Sequence, residues 1–203
     1  MNILIEQIEV GLMQNFSYLV GCMETRECGL IDPAWEPDRL LKAVERNGMR
    51  LAAVLLTHTH FDHMEGLEEL FRLAGPRKIF VHETERASLK SFSEHVVTLI
   101  DGMDISLGNI TIHCHHTPGH LPGCICYQAG KNLFTGDMLF VNSVGRTDFP
   151  ESNPRDFQKS ILKLKGMGDD IVVFPGHDYG PTPTSTIGEQ KKNNPYLMVD
   201  FHQ

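Results

Sequence analysis

Residues 57–63, Thr-His-Thr-His-Phe-Asp-His, place three histidines and an aspartate directly after a run of apolar residues. The side chains in this segment that could bind a metal are His58, His60, Asp62 and His63. Borderline divalent cations favour imidazole nitrogen and a carboxylate adds a charged oxygen, so this combination suits zinc or iron better than calcium or magnesium. The segment therefore predicts a metal site.

The apolar residues 51–56 that precede this cluster predict a buried strand that ends where the cluster begins. In an extended chain alternate side chains share a side, so we expect Asp62 to point the same way as His58 and His60. His63 would then point elsewhere, and one segment could serve two neighbouring metals. The alternative is a solvated polar loop in which Asp62 caps the helix that follows.

Three further candidate ligands follow later apolar stretches, and each comes directly after a glycine. They are His120, Asp137 and His177. Glycine lets the backbone come close and turn sharply just before the ligand. Each glycine-containing pair alone is common in turns, but together the three side chains complete a set for two metals. His116 is a competing candidate because it flanks the same Thr-Pro-Gly segment as His120.

The chain resembles the metallo-β-lactamase superfamily, whose His-x-His-x-Asp-His motif is matched within residues 57–63. The resemblance runs from Ile31-Asp32-Pro33 to Asn194-Pro195, and it is closest to the glyoxalase II-like branch and to the related persulfide dioxygenases. The resemblance implies that one metal is held by His58, His60 and His120, that a second is held by Asp62, His63 and His177, and that Asp137 bridges both.

The same resemblance suggests roles for residues outside the ligand set. Asp32 would be the carboxylate that orients a ligating imidazole, although an Asp-Pro turn is an alternative for it. Arg146 and Tyr179 could bind an anionic thiol carrier such as glutathione. Both could instead be structural, with Asp148 pairing Arg146.

The activity implied by the resemblance is that of a metal-dependent hydrolase of glyoxalase II-like type. The expected cofactors are two divalent ions, zinc first, with iron or manganese as alternatives. Asp62 with a metal-bound water and the bridging Asp137 would be the catalytic groups, and the derived hydroxide would attack the carbonyl of a thioester such as an S-hydroxyacylglutathione. A thiolate leaves without a general acid because the pKa of a free thiol is only about 8.5.

Two other activities remain open from the sequence. One is a persulfide dioxygenase that uses a single iron held by counterparts of His58, His120 and Asp137. The other is a metal-binding partner module without turnover of its own. Glyoxalase II carries a helical C-terminal extension that supplies basic residues to glutathione, and this chain ends shortly after Asn194-Pro195, so we expect no separate C-terminal helical domain.

Composition narrows the partners and the compartment. The chain has 203 residues, 41% of them hydrophobic, and we expect a single domain over residues 1–203. A formal charge of -8 without a Lys/Arg run argues against nucleic acid and anionic membranes as partners, which leaves a small-molecule thioester or thiol carrier.

The five cysteines form no disulfide framework and predict buried thiols, and the start of the chain is unlike a secretory signal. A cytoplasmic location is therefore expected. The sequence does not predict the oligomeric state.

Strands and helices are predicted to alternate along the chain, which indicates an α/β fold. Strands are predicted over residues 3–10, 16–20, 30–31, 51–56, 78–81, 110–115, 124–127, 132–134 and 171–174. Helices are predicted over residues 37–46, 64–74, 84–90, 154–163 and 186–192. The resemblance adds the specific arrangement, a four-layer αββα sandwich with the metal site at its edge.

Overall fold

Two six-stranded sheets form the centre of the protein, whose computed structural model describes residues 2–199. The first sheet contains β1 (Ile3–Val10), β2 (Asn15–Cys22), β3 (Glu27–Ile31), β4 (Arg50–Leu55), β5 (Lys78–His82) and β6 (Val96–Leu99). The second contains β7 (Asp104–Leu107), β8 (Ile110–His116), β9 (Ile125–Ala129), β10 (Asn132–Gly136), β11 (Val172–Pro175) and β12 (Ser185–Thr186). In both sheets, strands that follow one another in the chain are hydrogen-bonded neighbours.

The helices lie on the outer faces of the two sheets. They are α1 (Pro37–Arg46), α2 (Phe61–Met64), α3 (Leu67–Ala74), α4 (Pro154–Lys165), α5 (Ile187–Asn193) and α6 (Pro195–Met198), and Glu83–Phe92 forms a 3-10 segment. Tyr18 and Phe134, from different sheets, share one buried apolar group between them. Leu40 and Leu70 belong to a group that joins α1 and α3 to the first sheet, and Phe157 belongs to one that joins α4 to the second. These three interfaces make the predicted four-layer αββα sandwich.

Several predicted boundaries are confirmed, and they rest on capping chemistry. The helix over residues 37–46 has the predicted limits, and Pro37 occupies its first turn, where a missing N–H costs nothing. Thr186 and Glu189 form the predicted capping box at the start of α5, each side chain accepting the other's backbone N–H.

The predicted helix over residues 64–74 is wrong as a continuous element, because it divides into α2 and α3. Gly66, at the division, donates its N–H to the carbonyl of Ala34 over 2.5 Å. A side chain there would place Cβ 2.8 Å from the carbonyl oxygen of Pro33. This close approach to a neighbouring loop interrupts the helix at a residue that tolerates it.

The sequence analysis missed β6, β7, β12 and α6, and it predicted an α-helix over residues 84–90 where the chain forms a 3-10 segment. The missed strands have two to four residues and the missed helix has four, too few for a periodic pattern to stand out. None of the helices within residues 2–199 combines the length and the apolar character that crossing a membrane requires.

Candidate metal centre

The candidate ligands meet because the strands that precede them end at one edge of the sandwich. β3 runs parallel to β4, and β10 runs parallel to β11. β8 shares the direction of β10, because both are antiparallel to β9. The segments after β4, β8, β10 and β11 carry His58, His120, Asp137 and His177, respectively. Loops far apart in the chain therefore deliver these side chains to one place.

The first group of candidate ligands is His58, His60 and His120, whose ring nitrogens lie within 4.8 Å of one another. Nδ1 of His60 is 3.1 Å from Nε2 of His58 and 2.9 Å from Nε2 of His120. His58 and His120 are buried, while His60 is half-buried and lines the adjoining cavity. Three converging imidazoles with one side open to a cavity are typical of a catalytic zinc site.

The second group is Asp62, His63 and His177, all buried. Nε2 of His63 and Nε2 of His177 are 3.2 Å apart, and Oδ2 of Asp62 lies 3.4 Å from Nε2 of His177. The expectation that Asp62 points the same way as His58 and His60 is therefore wrong. The chain leaves the extended conformation at Phe61, where α2 begins, so strand alternation no longer applies to Asp62.

Asp137 lies between the two groups. Its Oδ2 is 3.7 Å from Nε2 of His120, and its Oδ1 is 3.1 Å from Nε2 of His63 and 3.4 Å from Nε2 of His177. Oδ1 is buried and has no hydrogen-bond partner among the residues that the structure describes. A buried carboxylate oxygen needs a hydrogen-bond donor or a cation as partner, and a cation between Oδ1 and the two imidazole nitrogens would supply one.

The four buried histidines among the candidate ligands each have Nδ1 beside an oxygen. The pairs are His58 with Oγ1 of Thr57 at 3.1 Å, His63 with Oδ2 of Asp32 at 3.0 Å, His120 with the Arg146 carbonyl at 2.8 Å, and His177 with the Met13 carbonyl at 2.9 Å. Carbonyl and carboxylate oxygens only accept, and the Thr57 hydroxyl already donates to Asp32, so Nδ1 carries the proton in each pair.

This tautomer leaves Nε2 of each neutral ring without a proton. The Nε2 lone pairs therefore converge on one another and on the carboxylate of Asp137. Such an arrangement is repulsive unless positive charge lies inside it, either as protons on His63 and His177, whose pKa values are raised, or as metal ions. An imidazole whose second nitrogen donates to an oxygen is the usual form of a metal ligand. The residues present thus fit divalent metal ions.

Asp32 makes the contact that its predicted role requires. Its Oδ1 accepts the backbone N–H of Thr57 over 2.7 Å, and its Oδ2 accepts the Thr57 hydroxyl over 2.6 Å and faces Nδ1 of His63 at 3.0 Å. Asp32 also lies close enough to His58 and His63 to form a third possible metal group. Three donors already occupy its oxygens, however, so we assign Asp32 to orienting His63.

The protonation equilibria show how strongly the site attracts positive charge. Burial holds the pKa of His58 well below its usual value, and the neighbouring His63 acts in the same direction. Burial opposes protonation of His177, but the carboxylates of Asp137 and Asp62, each 3.4 Å from its Nε2, outweigh it and raise that pKa to about 9. Burial also opposes ionisation of Asp62, yet His177 and His63 lower its pKa to about 2. The carboxylates are therefore charged at neutral pH and draw a cation toward the second group.

Two residues that support the ligands were missed by the sequence analysis. Nδ2 of Asn15 donates to the carbonyl of Asp62 over 2.9 Å and to its Oδ2 over 3.0 Å. The buried Glu85 accepts the N–H of Gly123 over 2.9 Å and the hydroxyl of Thr59, and it thereby ties together the loops that carry His60 and His120. Neither residue has a motif around it. Asn15 is a polar side chain at the start of a mainly apolar strand, and Glu85 lies among other polar residues and gives no signal.

A cavity of about 680 Å³ opens from the two groups and contains both predicted substrate contacts. Arg146 lines it but is bound by Asp148 through Nε at 2.6 Å and Nη2 at 2.8 Å, so the structural alternative proposed for Arg146 is present. Tyr179 stacks on His177 with ring centroids 4.5 Å apart.

His116, the competing candidate for a metal ligand, lies outside both ligand groups, and its Nε2 faces the Pro122 carbonyl at 2.8 Å.

Gly119, which precedes His120, provides a test of the glycine argument. Its φ is +141°, and a Cβ there would lie 2.2 Å from Cα of Phe157 in α4. We expect Gly119→Ala to lower the free energy of unfolding by about 2–5 kcal/mol, from backbone strain and overpacking together. Gly48→Ala is the matched control, since φ is +61° there but nothing lies within 4 Å of the new Cβ. Urea titration of both variants measures the difference, and equal losses would contradict the close contact.

Comparison with known proteins adds to this geometry. Three curated relatives cover most of the chain. The probable polyketide biosynthesis zinc-dependent hydrolase PksB of Bacillus subtilis is 28% identical over 187 residues, which are 92% of this chain and 83% of that protein. The human mitochondrial persulfide dioxygenase ETHE1 is 31% identical over 205 residues, 99% of this chain and 78% of that protein. The hydroxyacylglutathione hydrolase GloC of Haemophilus influenzae is 32% identical over 211 residues, 95% of this chain and 97% of that protein.

A solved structure agrees with the fold. The crystal structure of ETHE1 from Myxococcus xanthus superposes with a TM-score of 0.84 at 29% identity and covers 97% of this chain and 86% of that one. A family model described as the metallo-beta-lactamase superfamily matches residues 10–177, which include every candidate metal ligand. On this match and on the two relatives above 30% identity, the chain belongs to the metallo-beta-lactamase superfamily.

Proposed function

We propose that this protein is a metal-dependent hydrolase that cleaves thioesters and uses two divalent cations, zinc first. The observation that carries the proposal is the position of Asp137, whose two carboxylate oxygens face two separate and complete groups of ligands. A site for a single cation would not need the second group. The names of two relatives, a zinc-dependent hydrolase and a hydroxyacylglutathione hydrolase, support the same class of reaction.

The chemistry of the site divides between the cations and the protein. When bound, two divalent cations make water nucleophilic at neutral pH and polarise the substrate carbonyl. Asp62 is ionised at that pH, and Asn15 holds one of its oxygens, so the carboxylate is placed to accept a hydrogen bond from the attacking water. When the carbon–sulfur bond of the thioester breaks, the sulfur leaves as a thiolate, which is a good leaving group, so no general acid is required to protonate it.

The cavity supports substrate positioning. Its walls are largely apolar and include Phe140, Val144 and Phe149, which exclude water from the reacting centre. Phe149 lies with its ring centroid 4.9 Å from His60 and 5.6 Å from His120. Tyr179 covers the opposite side by stacking on His177, so the reacting carbonyl would be held between two aromatic rings.

A small-molecule substrate and a cytoplasmic location complete the proposal. The acidic net charge disfavours nucleic acid as a partner. The cysteines are all free and buried, as the sequence analysis predicted, and free thiols are typical of a reducing compartment.

A second candidate activity is oxygenation of a persulfide with one iron. His58, His120 and Asp137 supply the two imidazoles and one carboxylate that such iron sites use, and the relative ETHE1 is named a persulfide dioxygenase. We place it after the hydrolase because all three members of a second ligand group are present and converge.

Elemental analysis coupled to two assays separates the candidates. We expect protein purified without added metal to hold close to two zinc-type equivalents per chain and to hydrolyse S-lactoylglutathione or a simpler acyl thioester. One iron per chain with oxygen consumption on glutathione persulfide would reverse the order of the two candidates. Bound metal without turnover in either assay would indicate a metal-binding partner module instead.

A further inference from the structure

The metal cavity continues into an exposed apolar surface whose position suggests what it binds. Met13 and Phe61 line the cavity and are 40% and 61% exposed. Phe61 contacts Trp35 edge to face, with ring centroids 6.3 Å apart. Trp35 and the fully exposed Leu12 line a second cavity of about 400 Å³ on the outer side. We call Met13, Phe61, Trp35 and Leu12 the apolar strip.

The apolar strip is built into the fold. Gly11 lies so close to the Trp35 ring that a Cβ on it would come within 2.1 Å of the indole, which shows that the β1–β2 turn rests directly on that ring. The N–H of Gly11 donates to Glu36 Oε1 over 2.9 Å and thereby fixes the turn beside Trp35. The carbonyl of Met13, in the same turn, accepts Nδ1 of His177. One turn therefore connects a candidate metal ligand to the exposed apolar surface.

The charges around the site argue against a polyanionic substrate. Among the described residues that line the metal cavity, Arg146 is the only lysine or arginine, and Asp148 binds its guanidinium at two points. At the outer end of the apolar strip the ionisable lining residue is Glu36, which pairs with Arg39 at 3.3 Å, so the guanidinium of Arg39 is also bound by a carboxylate. A thiol carrier with several negative charges would find no free cationic side chain at either end.

We infer that the substrate is a thioester with an extended apolar acyl chain and a thiol portion of little charge. The acyl chain would extend from the metal centre between Met13 and Phe61 and lie along the apolar strip. This inference rests on the proposed thioester hydrolysis and names its substrate class. The continuity of the apolar strip with the metal cavity identifies the occupant as part of the substrate, because a chain attached to the reacting carbonyl must pass over Phe61 to leave on this side.

Acyl thioesters of N-acetylcysteamine, an uncharged thiol, provide the kinetic test. For the metal-loaded protein we expect kcat/KM to rise at least about tenfold from the butanoyl to the octanoyl thioester, since each methylene that leaves water contributes up to about fourfold. Leu12→Ser should lower the octanoyl value about threefold more than the butanoyl value. Leu12 is fully exposed, so its substitution does not threaten the fold. Ile100→Ser is the matched control, at a 50% exposed residue outside both cavities.

Binding can be measured without turnover, because Trp35 is the single tryptophan of the chain. We expect a saturable change in its fluorescence on titration with S-octyl-N-acetylcysteamine, a thioether that cannot be hydrolysed. S-octylglutathione has the same chain and a charged thiol portion, and we expect it to bind at least tenfold more weakly, by the charge argument above.

The outcomes distinguish this inference from the proposed function. Thioester turnover with no dependence on chain length, or a preference for S-octylglutathione, would overturn the inference alone. Absence of turnover on every thioester would overturn the proposed function. A saturable change in Trp35 fluorescence would then still support an apolar ligand on the strip. Absence of that change as well would overturn both the proposed function and the inference about the apolar strip.

Discussion

Replacing Asp137 by Ala is expected to remove most of the bound metal and to lower kcat/KM for thioesters by at least about a thousandfold, because the variant loses several kcal/mol of charge stabilisation. The reason is the central position of Asp137: Oδ2 faces His120, and Oδ1 faces His63 and His177. Without this carboxylate the three Nε2 atoms have no shared anionic partner through which to hold two cations.

The control for this prediction is His116→Ala. His116 stacks on His82 with ring centroids 3.9 Å apart and makes no contact with either ligand group, so its loss removes an imidazole without removing a ligand. Elemental analysis after purification of both variants without added metal measures the difference. Equal metal content in the two proteins would contradict the assignment of Asp137 as the bridge.

The ligand positions could be predicted because the information is local. His58, His120, Asp137 and His177 each follow an apolar stretch, and parallel or like-directed strands carry their ends to one edge. Residue type at a strand end is readable from the sequence alone. Which ligand joins which group is not readable from strand periodicity, because it depends on the direction of each side chain after the strand has ended. The resemblance to the superfamily predicted the two groups that the structure contains. Asp62 shows this, since α2 turns it away from the side that alternation predicted.

The supporting contacts could not be predicted, because their partners are distant in the chain. Asn15 and Asp62 are separated by 47 positions, and Glu85 and Gly123 by 38. No periodicity links residues so far apart, and each side chain alone looks like an ordinary polar residue. The resemblance to the superfamily supplied Asp32 but not these two, because they lie outside its ligand motifs.

The fold was predictable at the level of layers and less so at the level of short elements. The apolar run of β4 gives a strong signal, and the helix over residues 37–46 begins at Pro37 and ends just before Gly48, which has a positive φ of +61°. The 3-10 segment Glu83–Phe92 is different: Leu89 has a non-helical conformation inside it, and Glu85 is drawn toward Gly123 and Thr59. Tertiary contacts thus overrode a helical pattern at that point.

The substitution Asp32→Asn is expected to weaken metal binding to the second group by about ten- to a hundredfold while the protein remains folded. Asn is nearly isosteric with Asp and tolerates the positive φ of +46° at this position. The backbone N–H of Thr57 is a fixed donor, so the amide oxygen must face it, and the amide NH2 must face Nδ1 of His63. A donor opposite Nδ1 moves the imidazole proton to Nε2, the nitrogen that points at Asp137 and His177.

Two measurements check this result and separate it from a loss of stability. Calorimetric titration with zinc should show one equivalent weakened, and nitrogen NMR of the His63 ring should show the proton on Nε2 in the metal-free variant. Asp170→Asn is the control, because it removes the same charge at a 63% exposed side chain that pairs with Lys131 on the surface. If Asp32→Asn retains both metal equivalents at wild-type affinity, the carboxylate of Asp32 does not set the tautomer of His63. The Nε2 atom of His63 would then not depend on Asp32 for its ability to bind a cation.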